Sequence, residues 1–380
     1  MNLFQTPPQT IADTQQALKA GTLSCRELLE QCFRKIDAEE DVIHAWAYLD
    51  RESAFQQADE LDAEIQRGIW RGPLHGIPVG IKDIIDVKGM PTRAGLESRD
   101  ETPASQDAMV VANLRLEGAI FPGKTETTQL ACFDPPPTLN PWNQEHTPGG
   151  SSSGSAAAVA AGMCLAAVGT QTGGSIIRPS AYCGISGLKP TFGMVDRQGV
   201  ILLTEHLDHV GPIAQTVVDL VIMLDCMTDQ ATYLPLLMEP VTEPPRIGWL
   251  SGFFSDRAEP EMQQALTMAS DELNAAGAPI RECPLPAEFD SILEEHMALM
   301  GHEIFQHLGA DYDQNPDDFG PAISKVLEWG RRVTPERYQA SLDYQNMMSQ
   351  VMRRCFARSE ILISPATYGV APNPSTTGNP

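Results

Sequence analysis

No run of about 18 or more uninterrupted apolar residues occurs in this sequence, so nothing in it reads as a membrane span. The start, MNLFQTPPQTIADTQQALKAG, lacks a basic opening, an apolar block and a small-residue cleavage site, and does not read as a secretion signal. The eight cysteines (Cys25, Cys32, Cys132, Cys164, Cys183, Cys226, Cys283, Cys355) form no C-x-x-C pair and sit mostly in apolar surroundings. They read as buried thiols of a cytoplasmic protein, with no disulfide or metal role expected. Cations are scarce: 26 Lys and Arg stand against 50 Asp and Glu, a formal charge of −24. Phosphate binding needs clustered cations, so nucleic acid is not expected as a partner, and the acidity reads as a source of solubility. Only seven residues are lysine (Lys19, Lys35, Lys82, Lys88, Lys124, Lys189, Lys325), so a lysine inside an apolar stretch stands out.

What is present suits a globular enzyme. With 380 residues, 42% of them hydrophobic, the chain can bury a substantial core as one large domain or two modest ones. No internal repeat or linker rich in Pro, Gly or Ser divides it, and a single domain over 1–380 is expected. Helical spacing runs over 10–36, with Ser24 placed to cap a helix, and over 53–68. Ile77 to Val87 reads as a mostly buried strand, 107–117 as a short helix, and Ala119 to Phe121 as a short strand. An Ala-rich helix is expected over 155–163, a buried strand from Cys164 to Val168, a helix from Thr216 to Met227, and a strand from Arg246 to Leu250. Residues 257–358 read as largely helical, with Pro260 and Pro335 in first turns and an apolar stripe of Leu266, Ala269 and Leu273. Ile361 to Ile363 closes the series as a strand. Strands interleaved with helices predict an α/β core on a mixed or parallel sheet.

Serines flanked by glycine are the conspicuous chemistry. In PGGSSSGSAAAVAAG (148–162), Gly150 to Gly154 matches G-x-S-x-G, but that motif needs an apolar strand ahead of the serine. The preceding NPWNQEHTPGG is polar and turn-forming, so Ser152 fits poorly as a nucleophile. In GTQTGGSIIRPSAYCG, by contrast, a buried strand leads in through Cys164–Val168 and ends at Gly169, opening into TQTGGS. Gly173 and Gly174 before Ser175 let successive backbone N–H groups point into one space, a nest able to hold an oxyanion. A serine nucleophile needs a base. His75, His146, His206 and His209 are candidates without a recognisable context. Lys82, flanked by Gly80, Ile81, Ile84 and Ile85, is the sharper one, because burial of the amine favours its neutral form. The alternative is a strand lysine paired with Asp83 or Asp86, and the two readings stay open on composition alone.

Lys82 in GIPVGIKD, the stretch TPGGSSSGSAAAVAAG and the stretch GTQTGGSIIRPSAYCGISGLKPT together resemble the amidase signature family. The match is ordered, is densest from Gly72 to Thr191, and places Ser151 69 positions after Lys82 and Ser175 24 positions after Ser151. The resemblance implies an α/β fold with a large mixed, mostly parallel sheet covered by helices on both faces. It implies a Ser–cisSer–Lys unit in which Ser175 is the nucleophile, Ser151 (after a cis Gly150–Ser151 bond) the bridge, and Lys82 the general base. The oxyanion would sit on the N–H groups of Thr172, Gly173, Gly174 and Ser175, and no cofactor or metal is called for. Ser152, Ser153 and Ser155 are then expected to cap the Ala-rich helix or make local backbone hydrogen bonds.

Two features depart from the commoner pattern. Gln171 stands where many members carry Asp, and Ser-Ile-Ile-Arg replaces Ser-Ile-Arg, which is similar to malonamidase-type members whose arginine grips a substrate carboxylate. Arg178 could hold such a group bidentately, or it could only tie down its loop. The chain also stops at Thr377-Gly378-Asn379-Pro380, where the family normally continues, so a fragment or short form is expected. The leading expectation is a cytoplasmic hydrolase of a small, carboxylate-bearing amide, acting alone or as a homodimer. The alternatives are the glutaminase component of a tRNA-dependent amidotransferase, with partner proteins, and an inactive truncated scaffold.

Overall fold

A computed structural model describes residues 9–228 and 232–378. The first eight residues of the N-terminal stretch and the terminal Asn379-Pro380 lie outside the described residues. The helical spacing over 10–36 resolves into two helices, α1 (Ile11–Ala20) and α2 (Cys25–Ile43). Gly21, with φ of 68°, ends the first in a left-handed cap. Ser24 begins the second as expected: its hydroxyl accepts from Glu27 N while the Glu27 carboxylate accepts from Ser24 N, a reciprocal capping box.

Strand β1 (Trp46–Leu49) and helix α3 (Arg51–Gln66) lead to β2 (Val79–Lys82), then α4 (Met109–Leu116) and β3 (Gly123–Thr125). Next come α5 (Ser153–Ala160), β4 (Ala166–Gln171), α6 (Ile177–Tyr182), β5 (Ser186–Gly187), β6 (His209–Ala214), α7 (Val217–Thr228) and α8 (Tyr233–Leu237). The first six strands form one sheet in the order β1-β3-β2-β4-β6-β5. Within it β2 runs parallel to both β3 and β4, while β1–β3, β4–β6 and β5–β6 are antiparallel. A second sheet follows, from β7 (Ile247–Ser251), β8 (Ile280–Pro284) and β9 (Ile361–Ile363), parallel throughout with β7 central. Between its strands lie α9 (Pro260–Ala275), α10 (Ile292–Gln314), α11 (Pro321–Gly330) and α12 (Pro335–Phe356). The architecture is α/β, as the interleaved pattern indicated.

Several boundaries differ from the sequence reading, each for a local reason. The apolar run Ile77–Val87 is strand only as far as Lys82. Beyond it Ile84 N and Ile85 N both donate back to Lys82 O, and the Asp83 carboxylate accepts from Arg93 N and Ala94 N, which turns the chain out of the sheet. Ala119–Phe121 supplies a single bridge, Ile120 to Pro78, and the strand forms at Gly123–Thr125. In α9, Leu266 and Leu273 are half-buried and Ala269 is exposed, so the stripe lies at the surface and no residue of that helix is buried. Pro260 and Pro335 do open their helices.

The main core joins β2 and β4 to α5, where Ala156, Ala157, Ala158 and Val159 are fully enclosed. Small side chains are required by distance. A Cβ on Gly154 would lie 2.2 Å from Ala45 O and 2.4 Å from Glu126 N, and one on Gly169 would lie 2.8 Å from Ser152 Oγ. Such contact leaves no room for added volume. We expect Ala157→Leu to lower stability by roughly 1–3 kcal/mol, read as a reduced urea midpoint at unchanged slope.

Candidate active site

Because β2 and β4 are parallel neighbours, their carboxyl ends meet at one edge of the sheet, where α/β folds place ligands. Lys82 is the last residue of β2 and is fully buried. Its Nζ lies 2.7 Å from Ser151 Oγ and 2.8 Å from Thr170 Oγ1. Desolvation pushes the amine down to about 7, against a smaller upward pull from the charge of Asp208. Neither acid weighed as a structural partner takes Lys82. Asp83 pairs instead with Lys124 at 3.0 Å, both groups buried, and Asp86 accepts from Thr92 Oγ1.

The Gly150–Ser151 peptide is cis. Ser151 is held on its carbonyl by Thr127 Oγ1 at 3.1 Å and Thr128 N at 3.3 Å. Gly149, just before, takes a φ of 84°, and a Cβ there would lie 2.9 Å from Pro179 Cα, so only glycine fits. The following serines tie α5 to its surroundings. Ser152 Oγ donates to Thr170 O and accepts from Thr170 N, Ser155 Oγ donates to Val168 O, and Ser153 Oγ donates to Gly149 O. Ser153 therefore makes the local bond expected of it. Ser152 and Ser155 reach β4 instead, and Ser152, at the N-cap position, makes no side-chain cap bond.

Beyond β4 the chain bends through Thr172–Gly174 into Ser175. The Gln171 side-chain oxygen accepts from Ile176 N and Ile177 N, which turns α6 onto the loop. Among the described residues, the N–H groups of Thr172, Gly173, Gly174 and Ser175 donate to no protein acceptor. Ser175 is 8% exposed, and its carbonyl accepts from Ser152 N. No hydrogen bond joins its hydroxyl to that of Ser151. The Ser175 residue lines a cavity of about 40 Å³ together with Cys132, Phe133, Leu203, Met300 and Arg178. A larger chamber of about 410 Å³, walled by Phe253, Phe254, Ile292 and Leu293, shares Gly173, Gly174, Arg178 and His296 with that cavity. Buried Arg178 donates from Nη2 to Gly150 O at 2.8 Å, while its Nε and Nη1 have no partner. Burial lowers its guanidinium to about 10.

Lys82 and Ser151 are thus in contact, and Thr172, Gly173, Gly174, Ser175 and Arg178 gather one step further along the same edge. The four histidines are engaged elsewhere. His75 accepts from Arg71 N, His146 contacts Ala371 O, His206 lies 2.5 Å from Glu303, and His209 lies 2.6 Å from Leu207 O. Sequence reading missed Thr170, His296 and Asp208. Thr170 had a signal, since alternation along β4 puts it on the same face as Thr172. His296, on α10, and Asp208, just ahead of β6, had none, because only the tertiary fold brings them here. Among the described residues no cluster of His, Cys, Asp or Glu could hold a metal, and no helix is long and apolar enough to cross a membrane. All eight cysteines are free, six of them buried.

Compared with known proteins, residues 27–379 match the sequence model of the amidase family. The chain belongs to that family. Its chemistry is accordingly hydrolysis of an amide C–N bond. It is 36% identical to an amidase of Pseudomonas putida over 94% of this chain and 78% of that one. It is 31% identical to a glutamyl-tRNA(Gln) amidotransferase subunit of Koribacter versatilis strain Ellin345, over 94% of this chain and 83% of that one. A crystal structure of an amidase superposes with a TM-score of 0.89 at 30% identity, covering 96% of this chain and 83% of that one.

The depressed Lys82 amine has a consequence for folding. Between about pH 7 and the ordinary lysine value of 10.5 the unfolded chain holds a proton that the folded one releases, so this group makes stability rise with pH across that window. We expect the stability of Lys82→Met relative to the parent chain to improve steadily as pH falls from 10 to 7. Urea unfolding at several pH values measures it, and a pH-independent difference would contradict the depressed amine.

Proposed function

We propose that the chain is a cytoplasmic amidase that cleaves a small carboxamide to acid and ammonia through an acyl-enzyme on Ser175. The observation that carries this reading is the buried Lys82 amine at 2.7 Å from Ser151 Oγ, one step from the free N–H groups beside Ser175. A neutral amine has two N–H groups and one lone pair. It donates to Thr170 Oγ1 and accepts from the Ser151 hydroxyl, which in turn accepts the Ser175 proton as Ser175 attacks the amide carbonyl. The link between the two serines closes when substrate seats, since such bonds are commonly long in free enzymes. The developing oxyanion takes the N–H groups of Thr172, Gly173, Gly174 and Ser175. Collapse of the intermediate expels the amine, which receives the proton back from Lys82 through Ser151. Water then adds to the ester by the same path, releasing the acid and Ser175. Eight free thiols support a reducing setting.

Arg178 supports a carboxylate on the substrate. Its Nη2 ties down the loop through Gly150 O, and its two remaining donors are buried without a partner beside the cavities that Arg178 lines. Both roles weighed from sequence therefore fall to one side chain, the carboxylate role as part of this proposal. A second reading, the glutaminase component of a tRNA-dependent amidotransferase, draws on the relatives that carry that name. Glutaminase activity that appears only with partner proteins would favour it. The absence of a cation cluster in the sequence, and Gln171, favour the free amidase.

Ammonia release from a panel of small amides, malonamate included, tests the reading. Ser175→Ala should lose about a thousandfold or more in rate. The parent enzyme's kcat/KM should rise with pH through about 7, because only the neutral amine accepts the proton. Arg178→Ala should lower activity on acid-bearing amides relative to neutral ones by about tenfold or more. Equal losses on both would leave Arg178 with the loop alone.

A further inference from the structure

The turn before β6 is built around one carboxylate. Asp208, 8% exposed, accepts on Oδ2 from Leu203 N (2.7 Å) and Thr204 N (3.1 Å). On Oδ1 it accepts from Thr204 Oγ1 (2.8 Å) and from Thr172 Oγ1 (2.6 Å), 36 residues away in sequence. The bond to Thr172 follows from the sheet. β4 and β6 pair antiparallel with Gln171 opposite His209, so the next residues outward, Thr172 and Asp208, face each other where the ladder ends. Alternation along β4 then puts Thr170 towards Lys82 and Thr172 towards Asp208 on one face. No cation pairs with the Asp208 carboxylate among the described residues. The turn that carries it is anchored from outside the sheet: His206 N donates to Glu303 of α10 at 3.3 Å, the His206 ring lies 2.5 Å from the same carboxylate, and Tyr338 of α12 donates to it at 2.6 Å.

We propose that Asp208 is a positioning residue: it fixes the Thr172–Ser175 loop through Thr172 and supplies a negative charge on the face of β4 that Lys82 meets. This rests on the reading of Ser175 and Lys82 given above. With its first residue clamped to a buried carboxylate, the loop cannot swing away from the place where the oxyanion forms, and donors fixed in advance stabilise that charge most. Asp208 and Lys82 lie on the same face of β4, bonded to Thr172 and Thr170 respectively, and the charge of Asp208 raises the proton affinity of Lys82 against its desolvation. The other groups around that amine leave Asp208 as the charge in play. Ser151 and Thr170 are uncharged, and Asp83, in the turn after β2, and Lys124, on the neighbouring β3, neutralise each other at 3.0 Å.

The two effects separate experimentally, with a fluorophosphonate probe of Ser175 as reagent because it needs no knowledge of the natural amide. Its labelling rate is measured from pH 5 to 9 on the full chain. Asp208→Asn should label about tenfold more slowly at pH 8, and the midpoint of its acid limb should move to lower pH by about half a unit or more. Thr172→Val, which breaks the bond and keeps the charge, should slow labelling similarly with an unmoved midpoint. If Asp208→Asn fails to fold by circular dichroism, Asp208→Glu and Thr172→Val carry the test, with slowed labelling and unmoved midpoints expected. Rates within twofold of the parent in the folded variants would overturn the positioning role, and an unmoved midpoint in folded Asp208→Asn would overturn the role of its charge. Persistent labelling of Ser175→Ala would instead overturn the assignment of Ser175, whatever the Asp208 variants do.

Discussion

The placement of one amine out of reach of water governs the site. Water normally stabilises a lysine charge, and at the end of β2 little replaces it: two neutral hydroxyls lie within 2.8 Å, the Asp83–Lys124 pair is matched within itself, and the charge of Asp208 pulls upward by less than burial pushes down. The cost of burying a charge is relieved most simply by giving up the proton. Parallel neighbours on both sides of β2 make this burial possible, since a strand in mid-sheet exposes neither edge. The adjacent Asp83 does not rescue the charge, because the chain turns out of the sheet there and its carboxylate meets Lys124 and the N–H groups of Arg93 and Ala94 instead.

Around that amine, the glycine- and serine-rich stretch works as a seam. Polar side chains at a helix start are usually spent on the helix's own free N–H groups. Here two of them cross to β4, so α5 is stitched to the strand that carries Thr170 and leads into Ser175. The alanines behind them let helix and strand backbones approach closely. Precision in the proposed relay therefore comes from bonds that take no part in proton transfer.

The sequence made some levels of this structure readable and hid others. Helix starts were plain at Ser24, Pro260 and Pro335, where capping and proline geometry act within a few residues. Strand ends were not: the apolar run past Lys82 looks continuous, and the turn within it depends on an Asp83 carboxylate catching backbone N–H groups ten residues on. Lys82, Ser151 and Ser175 could be picked out because their spacing within glycine-rich stretches resembles a known family. Thr170 was within reach of strand alternation alone. Asp208 and His296 enter through contacts that only the tertiary fold creates, and His296 arrives on a helix that looked like scaffold.

Arg178 shows what sharing a side chain implies. One end of its guanidinium is bonded to the carbonyl immediately before Ser151, and the other end is buried without a partner in a residue that lines the chamber. The proposed recognition and the proposed chemistry thus share one side chain. A lineage that retuned this position for a new substrate would disturb the peptide next to Ser151 in the same step. Under the proposed reading, change is easier at Phe253, Phe254, Ile292 and Leu293, which line the same chamber and take no part in the hydrogen bonds around Lys82.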